Sequence, residues 1–500
     1  MKACRIGRQW PARQYAAARN TNSTGSWSPV DQGVNDLLRS SAPQVRARVR
    51  QMVRDFPFFA RAVNVLSAYT VGRGLRYQAQ FRDASGLNRA INQQLEDHFA
   101  WWADEADAAG KLHFSEIEDL AQRQDCETGE FLIVMVQLGD RRRHLPFALQ
   151  VIEGDWLTDS YAKTVGDNLL DQGIEYDRNS GAPVAYHISD PDNLKAPRRI
   201  PAQYVLHHHQ SVRPGQHRGI SPFTSGVLIA NSLSDYLGST VDTAKMAAKY
   251  LALVTTPNPM QFQAARGITA DADGIHKLEG LENAIIEYLR PGEEITFAAP
   301  QTVASQFDPF TRFVIRVVAI STGTTYEMLS GDYSGLSYSN LKGIRNDFYA
   351  MVDPRRDRFI RHLNRPVLAS FLDALNLSGR MEMPGYAKNP RAWSRSTWMQ
   401  PERPSNDPLR DSKADASDLQ QKLTSPQRIA ARRGVDIEEI LDEWAEFEAL
   451  CKARGITTEQ ASTALANNPA ALGADGDGDE GRIARLIQNQ LEDNALLAEA

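Results

Sequence analysis

The run Asp308-Pro-Phe-Thr-Arg-Phe-Val-Ile-Arg-Val-Val-Ala-Ile-Ser-Thr-Gly323 decides how the chain is read. Phe310, Phe313, Val314, Val317 and Val318 recur at spacings of three and four, which puts one apolar stripe on a helix. Asp308 suits an N-cap, and Pro309 suits the first helical position, where its missing N–H would be unpaired anyway. Gly323 supplies the stop. The next stretch, Thr324 to Asn340, is rich in glycine and serine and has no sustained helical period, so the sequence predicts a long mobile loop there. A second helix is predicted from Ser339 or Asn340, carrying Leu341, Ile344, Phe348 and Met351. Pro354 falls inside its pattern and predicts a kink at Asp353-Pro354, with Phe359, Ile360 and Leu363 continuing beyond.

Upstream lies another long helix. Ser221-Pro222 opens it, and Gly226, Ala230, Leu233, Leu237, Val241, Ala244 and Ala248 repeat along it. From Pro222 to Tyr250 it would span roughly 43 Å at about 1.5 Å per residue. Between the two helices, Thr255 to Ser305 is interrupted by prolines and predicts strands at 284–289 and 294–298, a small excursion from the main body.

The N-terminal part reads as α+β from about residue 30 to 215. Helical patterns cover Val30 to Val71, Ala90 to Ala103 and Ser115 to Glu127, the last with Ser115 and Glu118 spaced as a capping box. Arg46, Arg48, Arg50, Arg54 and Arg61 predict a solvated or ion-paired face. Phe131 to Leu138 is a buried-strand run, Leu149 to Ile152 is another, and residues 174–176 with 184–188 form a hairpin across Asp177-Arg-Asn-Ser-Gly181. Gly72-x-Gly74 reads as a turn. After Leu377 an aromatic and proline-rich connector leads to a helix over Ile437 to Ala453, acidic around a stripe of Ile440, Leu441, Trp444 and Phe447.

The chain has 500 residues, 42% of them hydrophobic, and a formal net charge of −6, so several domains fit and a wholly basic nucleic-acid surface is excluded. Cys4, Cys126 and Cys451 are too few and scattered for a disulfide framework. No apolar run reaches the roughly 18 to 20 residues that span a bilayer, and no membrane partner is expected. No G-x-S-x-G, H-E-x-x-H or G-x-x-x-x-G-K-[ST] motif occurs. Glu153-Gly-Asp155 and Asp125-Cys-Glu127 read as structural carboxylates, and Asp475-Gly-Asp-Gly-Asp479 as a linker rather than a calcium loop. His207 and His209 point to one face of a strand, which leaves open an alternative, a metal-dependent hydrolase with further ligands from elsewhere.

Two motifs carry a family resemblance. Ala319 to Lys342 resembles the signature of lambda-type phage portal proteins, Gly-x-x-Tyr-Glu-x-Leu-x-x-Asp followed by Tyr-Ser-Ser-x-Arg. Gly323, Tyr326, Glu327, Leu329, Asp332, Tyr338 and Ser339 match, while Asn340 and Lys342 replace a serine and the arginine. Arg213, Gly215, Gln216, Arg218 and Gly219 match the family's Arg-x-Gly-Gln-x-Arg-Gly segment.

The resemblance implies a portal-type α+β subunit, not an enzyme, with no cofactor or metal. Its implied parts are an N-terminal arm (1–29), a wing (30–218), stem helices (219–250 and 308–323) and a clip (251–307). A channel loop (324–340), a kinked helix returning to the wing (341–400), a helical crown (401–470) and a tail (471–500) complete it. Implied partners are further copies in a dodecameric ring at one capsid vertex, double-stranded DNA in the channel, the terminase large subunit, the major capsid protein and scaffold, and a head-tail adaptor. DNA would meet Tyr326, Glu327, Ser330, Asp332, Tyr333, Ser334, Ser337, Tyr338, Ser339, Lys342 and Arg345. Docking at the clip would involve Gln261, Gln263, Arg266, Glu287, Arg290, Glu293 and Glu294. The implied location is the virion, after assembly in the host cytoplasm.

Overall fold

The computed structural model describes residues 29, 31–157, 163–189, 197–249, 253–255, 294–296, 304–401, 403 and 407–453. The chain divides into two compact units, residues 1–398 and 399–500. The first opens with α1 (Val34–Asp55) and α2 (Pro57–Thr70), then β1 (Arg76–Ala79), the short hairpin β2 (Arg82–Asp83) and β3 (Gly86–Leu87), α3 (Arg89–Ala103) and α4 (Phe114–Glu127). Strands β4 (Glu130–Gln137) and β5 (Phe147–Ile152) follow, then an antiparallel series of β6 (Lys163–Val165), β7 (Asn168–Asp171), β8 (Ile174–Asp177), β9 (Pro183–Ile188) and β10 (Arg198–Pro201), and then β11 (Val205–His209). The two larger sheets run β11-β4-β5 and β10-β9-β8-β7-β6.

The apolar run at β4 makes physical sense because both its faces are covered. Phe131 and Ile133 pack into a core with α3, α4 and a later helix, while Leu132 and Val134 face the second sheet with Ile174, Tyr176 and Tyr186. The mixed helix-and-sheet class expected from the sequence is the one observed.

A helical turn at Pro222–Gly226 then leads into α5 (Val227–Lys249), and β12 (Leu253–Thr255) pairs with β13 (Glu294–Thr296). Next come α6 (Ala304–Thr322), α7 (Tyr326–Ser330), α8 (Tyr338–Phe359), α9 (Arg365–Ser378), α10 (Pro390–Trp393) and β14 (Ser396–Met399), which pairs with β1. A third core joins α1 and α2 to the first turns of α5, to α6 and to α8. Among the described residues no helix is long and apolar enough to cross a membrane.

Several local signals lose to tertiary contacts. Helix α6 starts at Ala304, so Pro309 lies inside it and Asp308 is no cap. Phe307 and Phe310 both pack on Tyr236 of α5, at 6.0 and 5.2 Å between ring centroids, and Asp308 instead pairs with Arg312 one turn on. Helix α8 starts at Tyr338, capped by Ser337, and runs through Pro354 to Phe359. The buried Arg356 holds it there by donating to the Tyr69 and Thr70 carbonyls at the end of α2. The irregularity predicted at Pro354 appears later, as a π-helical turn over Ile360–Asn364.

The capping box of α4 is shifted as well: His113 is the cap, bonded to Ser115 N, and Glu116 returns the bond to His113 N. Glu118 has been drawn inside, where it accepts from Leu75 N at 3.0 Å and from Asn364. Burial without a cationic partner pushes its carboxyl up to about 8.

The connector after Leu377 is no tether. Tyr386, Trp393 and Trp398 lie in the core with Phe99, Trp102 and Phe371.

The second unit contains α11 (Pro408–Gln420), α12 (Pro426–Arg432) and α13 (Ile437–Ala453). Asp407 and Ser425 cap the first two, and Asp415 ties α11 to Arg432 and Arg433 after it. Helix α13 has the predicted bounds, but its apolar stripe is open: Leu441, Trp444 and Phe447 are exposed.

Candidate functional site

The two motifs singled out in the sequence fold into different kinds of site. In the first, residues 212–219 form a loop that closes on itself. Gly215 has φ +73°, a conformation that disfavours any side chain. The Gln216 side chain accepts from Val212 N at 2.9 Å and donates to Arg218 O at 2.7 Å. Asn35 of α1 pins the loop from outside through Gly215 O and His217 N, both at 2.9 Å, and His217 stacks on Tyr176 and bonds to Asp171.

Arg218, 2% exposed, then plunges between the sheets. It donates to both Glu130 carboxylate oxygens, to Gln172 O at 3.1 Å and to Gly154 O at 2.8 Å. Glu130 also accepts from Gly219 N at 2.8 Å and lies 3.3 Å from His207 Nε2. Burial alone would raise the Glu130 carboxyl, but Arg218 and His207 hold it well below the usual carboxylate range. Arg46 adds a second guanidinium at 4.0 Å and pairs with Asp155 at 2.8 Å. A Cβ on Gly219 would sit 2.2 Å from Gly129 O, and one on Gly154 would sit 2.5 Å from Glu130 Oε1. The glycines of this hub are therefore fixed by close approach.

The histidines belong to the same hub. His207 and His209 share a face, with ring centroids 5.1 Å apart, as the strand period requires. His207 faces Glu130, while His209 Nε2 donates to Gln216 O at 3.1 Å. Burial and the neighbouring His207 push His209 down to about 4. Among the described residues, no group of three or more His, Cys, Asp or Glu side chains is placed to hold a metal.

The second motif is not the featureless loop expected. Gly323, at φ +70°, ends α6 and Thr325 caps α7, whose Met328 and Leu329 are buried anchors. Gly331, at φ +72°, returns its N–H to Glu327 O at 2.8 Å. Tyr326 OH donates to Asp332, which pairs with Arg312 at 3.0 Å, and Arg316 lies over the Tyr326 ring at 5.2 Å. Asp332 also closes a turn on Ser334 N and Oγ, bonds that with Arg312 lower its pKa. Ser330 Oγ donates to Tyr326 O. In this turn and beyond it, Tyr333, Ser334, Ser337, Tyr338, Ser339 and Lys342 are exposed and Arg345 is half-buried.

The structure thus joins Tyr326, Ser330, Asp332 and Ser334 in one network. Glu327 contributes its backbone carbonyl and lies in the first turn of α7. Of the expected docking residues, Glu294 lies in β13; Gln261, Gln263, Arg266, Glu287, Arg290 and Glu293 lie outside the described residues, as does the strand expected at 284–289. Sequence reasoning missed Glu130 and Arg312, while Arg46, read as part of a solvated or ion-paired face, is buried and ion-paired. Only an unexplained glutamate heading an apolar strand marked the first.

Comparison with known proteins defines the class. Residues 20–356 match the phage portal proteins of the lambda family. The probable portal protein of Halomonas phage phiHAP-1 is 24% identical over 489 residues, 94% of this chain and 92% of that one. The portal protein of Escherichia phage N15 is 22% identical, with 86% and 88% covered, and portal protein B of Escherichia phage lambda is 20% identical with the same coverage. Among solved structures, the neck of an empty gene transfer agent particle with C6 symmetry is 14% identical, with a TM-score of 0.47 over 77% of this chain and 93% of that one. The neck of a native particle with C12 symmetry gives 0.44, at 14% identity over 78% and 94%. With most of its length matched, the chain belongs to the lambda family of phage portal proteins. Its role is structural rather than catalytic.

Proposed function

We propose that copies of this chain close into a ring, dodecameric as the family resemblance implies, at one vertex of a viral head. The ring is the conduit through which double-stranded DNA enters and leaves. The observation that carries the ring is the uncovered apolar surface of the two long helices: Leu228 of α5 is 71% exposed, and Phe313 and Ile320 of α6 are 62% and 79% exposed. Side chains of this size along packed helices call for a further protein surface, and in a ring that surface is the next subunit.

In this reading α5 and α6 are stem helices, residues 251–307 the clip, 30–218 the wing and 401–470 the crown, with 1–29 and 471–500 as terminal segments. The 324–340 segment and the start of α8 face the channel. There Tyr333, Ser334, Ser337, Tyr338 and Ser339 offer polar contacts, and Lys342 and Arg345 touch phosphates transiently. An acidic protein with a few cations at one place suits a passage that must hold DNA without gripping it. The clip receives the terminase large subunit and later the head-tail adaptor, and the ring nucleates assembly of the major capsid protein and scaffold. The working place is the virion, with assembly in the host cytoplasm.

The test is mass photometry of the purified protein with a Phe313→Asp, Ile320→Asp variant beside it. The wild type is expected as closed rings and the variant as smaller species. A wild-type monomer or dimer at every concentration tried overturns the reading.

A further inference from the structure

Away from the 324–345 segment, Arg365, Arg391 and Arg395 line one pocket of about 410 Å³, together with Gln80, Ser394 and Ser396. Arg365 opens α9, Arg391 lies in α10, and Arg395 precedes β14. Several arginines elsewhere on this chain meet carboxylates: Arg46 with Asp155, Arg199 with Glu175, Arg218 with Glu130, Arg312 with Asp308, Arg355 with Asp125. These three differ. No carboxylate lines the pocket, and among the described residues none of the three guanidinium groups forms an ion pair.

The backbone of the walls is held before any ligand arrives. Gln80 N donates to Arg395 O at 2.9 Å, Ser394 Oγ donates to Arg391 O at 3.3 Å, and the Phe81 ring lies 4.2 Å from that of buried Trp393 behind them. The three arginines are exposed and share this one cleft, so an anion seated in it would be attracted by all three.

We propose that this pocket binds a phosphate group of nucleic acid, a second DNA contact distinct from the channel segment. Planar guanidinium forks match phosphate oxygens, and serine hydroxyls and the glutamine amide add neutral donors. Three cations in one place suit the closely spaced charges of a nucleic-acid backbone better than the single charge of one acidic side chain. The pocket's volume leaves room beside the phosphate for its sugar. The proposal rests on the portal reading only for the identity of the polymer, duplex DNA.

The test measures binding of a short fluorescein-labelled DNA duplex to the full chain across a salt series, by anisotropy, with oligomeric state read in parallel by mass photometry. The Arg365→Ala, Arg391→Ala, Arg395→Ala variant is expected to lose roughly tenfold or more in affinity. Its slope of log affinity against log salt should flatten by about 0.9 for each phosphate no longer neutralised. If that variant loses its melting transition, the single exposed-site change Arg391→Glu reads the same slope.

Unchanged affinity and slope overturn the proposal. So does a variant that loses inorganic phosphate or a poly-glutamate peptide while keeping DNA, since the pocket would then serve a free anion or an acidic protein segment. Wild-type protein that binds DNA through the pocket without forming rings supports the pocket and counts against the ring alone.

Discussion

The 213–219 loop and the 323–342 segment are both family motifs, yet one points inward and the other outward. Arg218 and Gly219 close a buried ionic hub with Glu130, whereas Ser334, Tyr338, Ser339 and Lys342 stand in solvent at or beyond a turn held by Asp332. The first motif is explained by folding: every polar atom named there has a partner inside the subunit. In the second, Gly323, Thr325, Tyr326, Met328, Leu329, Ser330, Gly331, Asp332, Ser334 and Ser337 are explained that way, by burial, caps and turns. Several of its residues are exposed, Tyr333, Tyr338, Ser339 and Lys342 among them, and the role proposed for them lies in the assembled protein. A motif in a portal subunit can thus be part of the frame or part of the working surface, and burial separates the two.

That contrast can be broken, and the largest effect is expected in the hub. Arg218→Ala leaves Glu130 buried beside His207 without its main partner and should cost about 3–5 kcal/mol, read as a fall in the denaturant midpoint. An Arg218 change that leaves stability untouched would erase the distinction between the motifs.

A second large effect is pH-dependent. Glu118 holds its proton in the folded chain up to about pH 8 but loses it near 4.5 once unfolded. The unfolded state therefore binds fewer protons between those values, and stability falls as pH rises from about 4.5 to about 8, at up to about 1.36 kcal/mol per unit. Glu118→Gln should flatten that slope in a series of melts, and a slope identical to wild type contradicts the buried neutral carboxyl.

Smaller effects belong to the outer motif. Thr325→Ala removes the cap of α7 and should cost about 1 kcal/mol, seen as a modest drop in the same midpoint. Smallest of all, Lys342→Glu should change stability by no more than about 0.5 kcal/mol. It should nevertheless lower the amount of DNA packaged per head. A packaging yield equal to wild type would return Lys342 to the ordinary surface.

The sequence revealed the class of elements well where periodicity and burial agree. The β4 run and α13 over Ile437–Ala453 came out with nearly or fully correct bounds because each is one unbroken pattern. It misled at Pro309 and Pro354, where a local start signal and a local kink signal are overruled by Tyr236 packing on Phe307 and Phe310 and by Arg356 bonding to α2. Glu118 looked like a cap because spacing cannot say which way a glutamate turns. The hub was legible only from one side. Arg218 stood in a recognisable motif, but Glu130 lies 88 residues earlier, and no local pattern encodes so distant a pairing. In the outer motif, glycine and serine content suggested a loop, while the buried Met328 and Leu329 that anchor a helical turn there gave too short a signal to read.

Electron microscopy of the purified, assembled protein tests the account most directly. Closed rings of about a dozen subunits are expected, with residues 326–345 lining a central hole wide enough for duplex DNA and Arg218 buried within each subunit. Compact monomers or dimers at all concentrations, or rings with that segment on the outer rim, would contradict it.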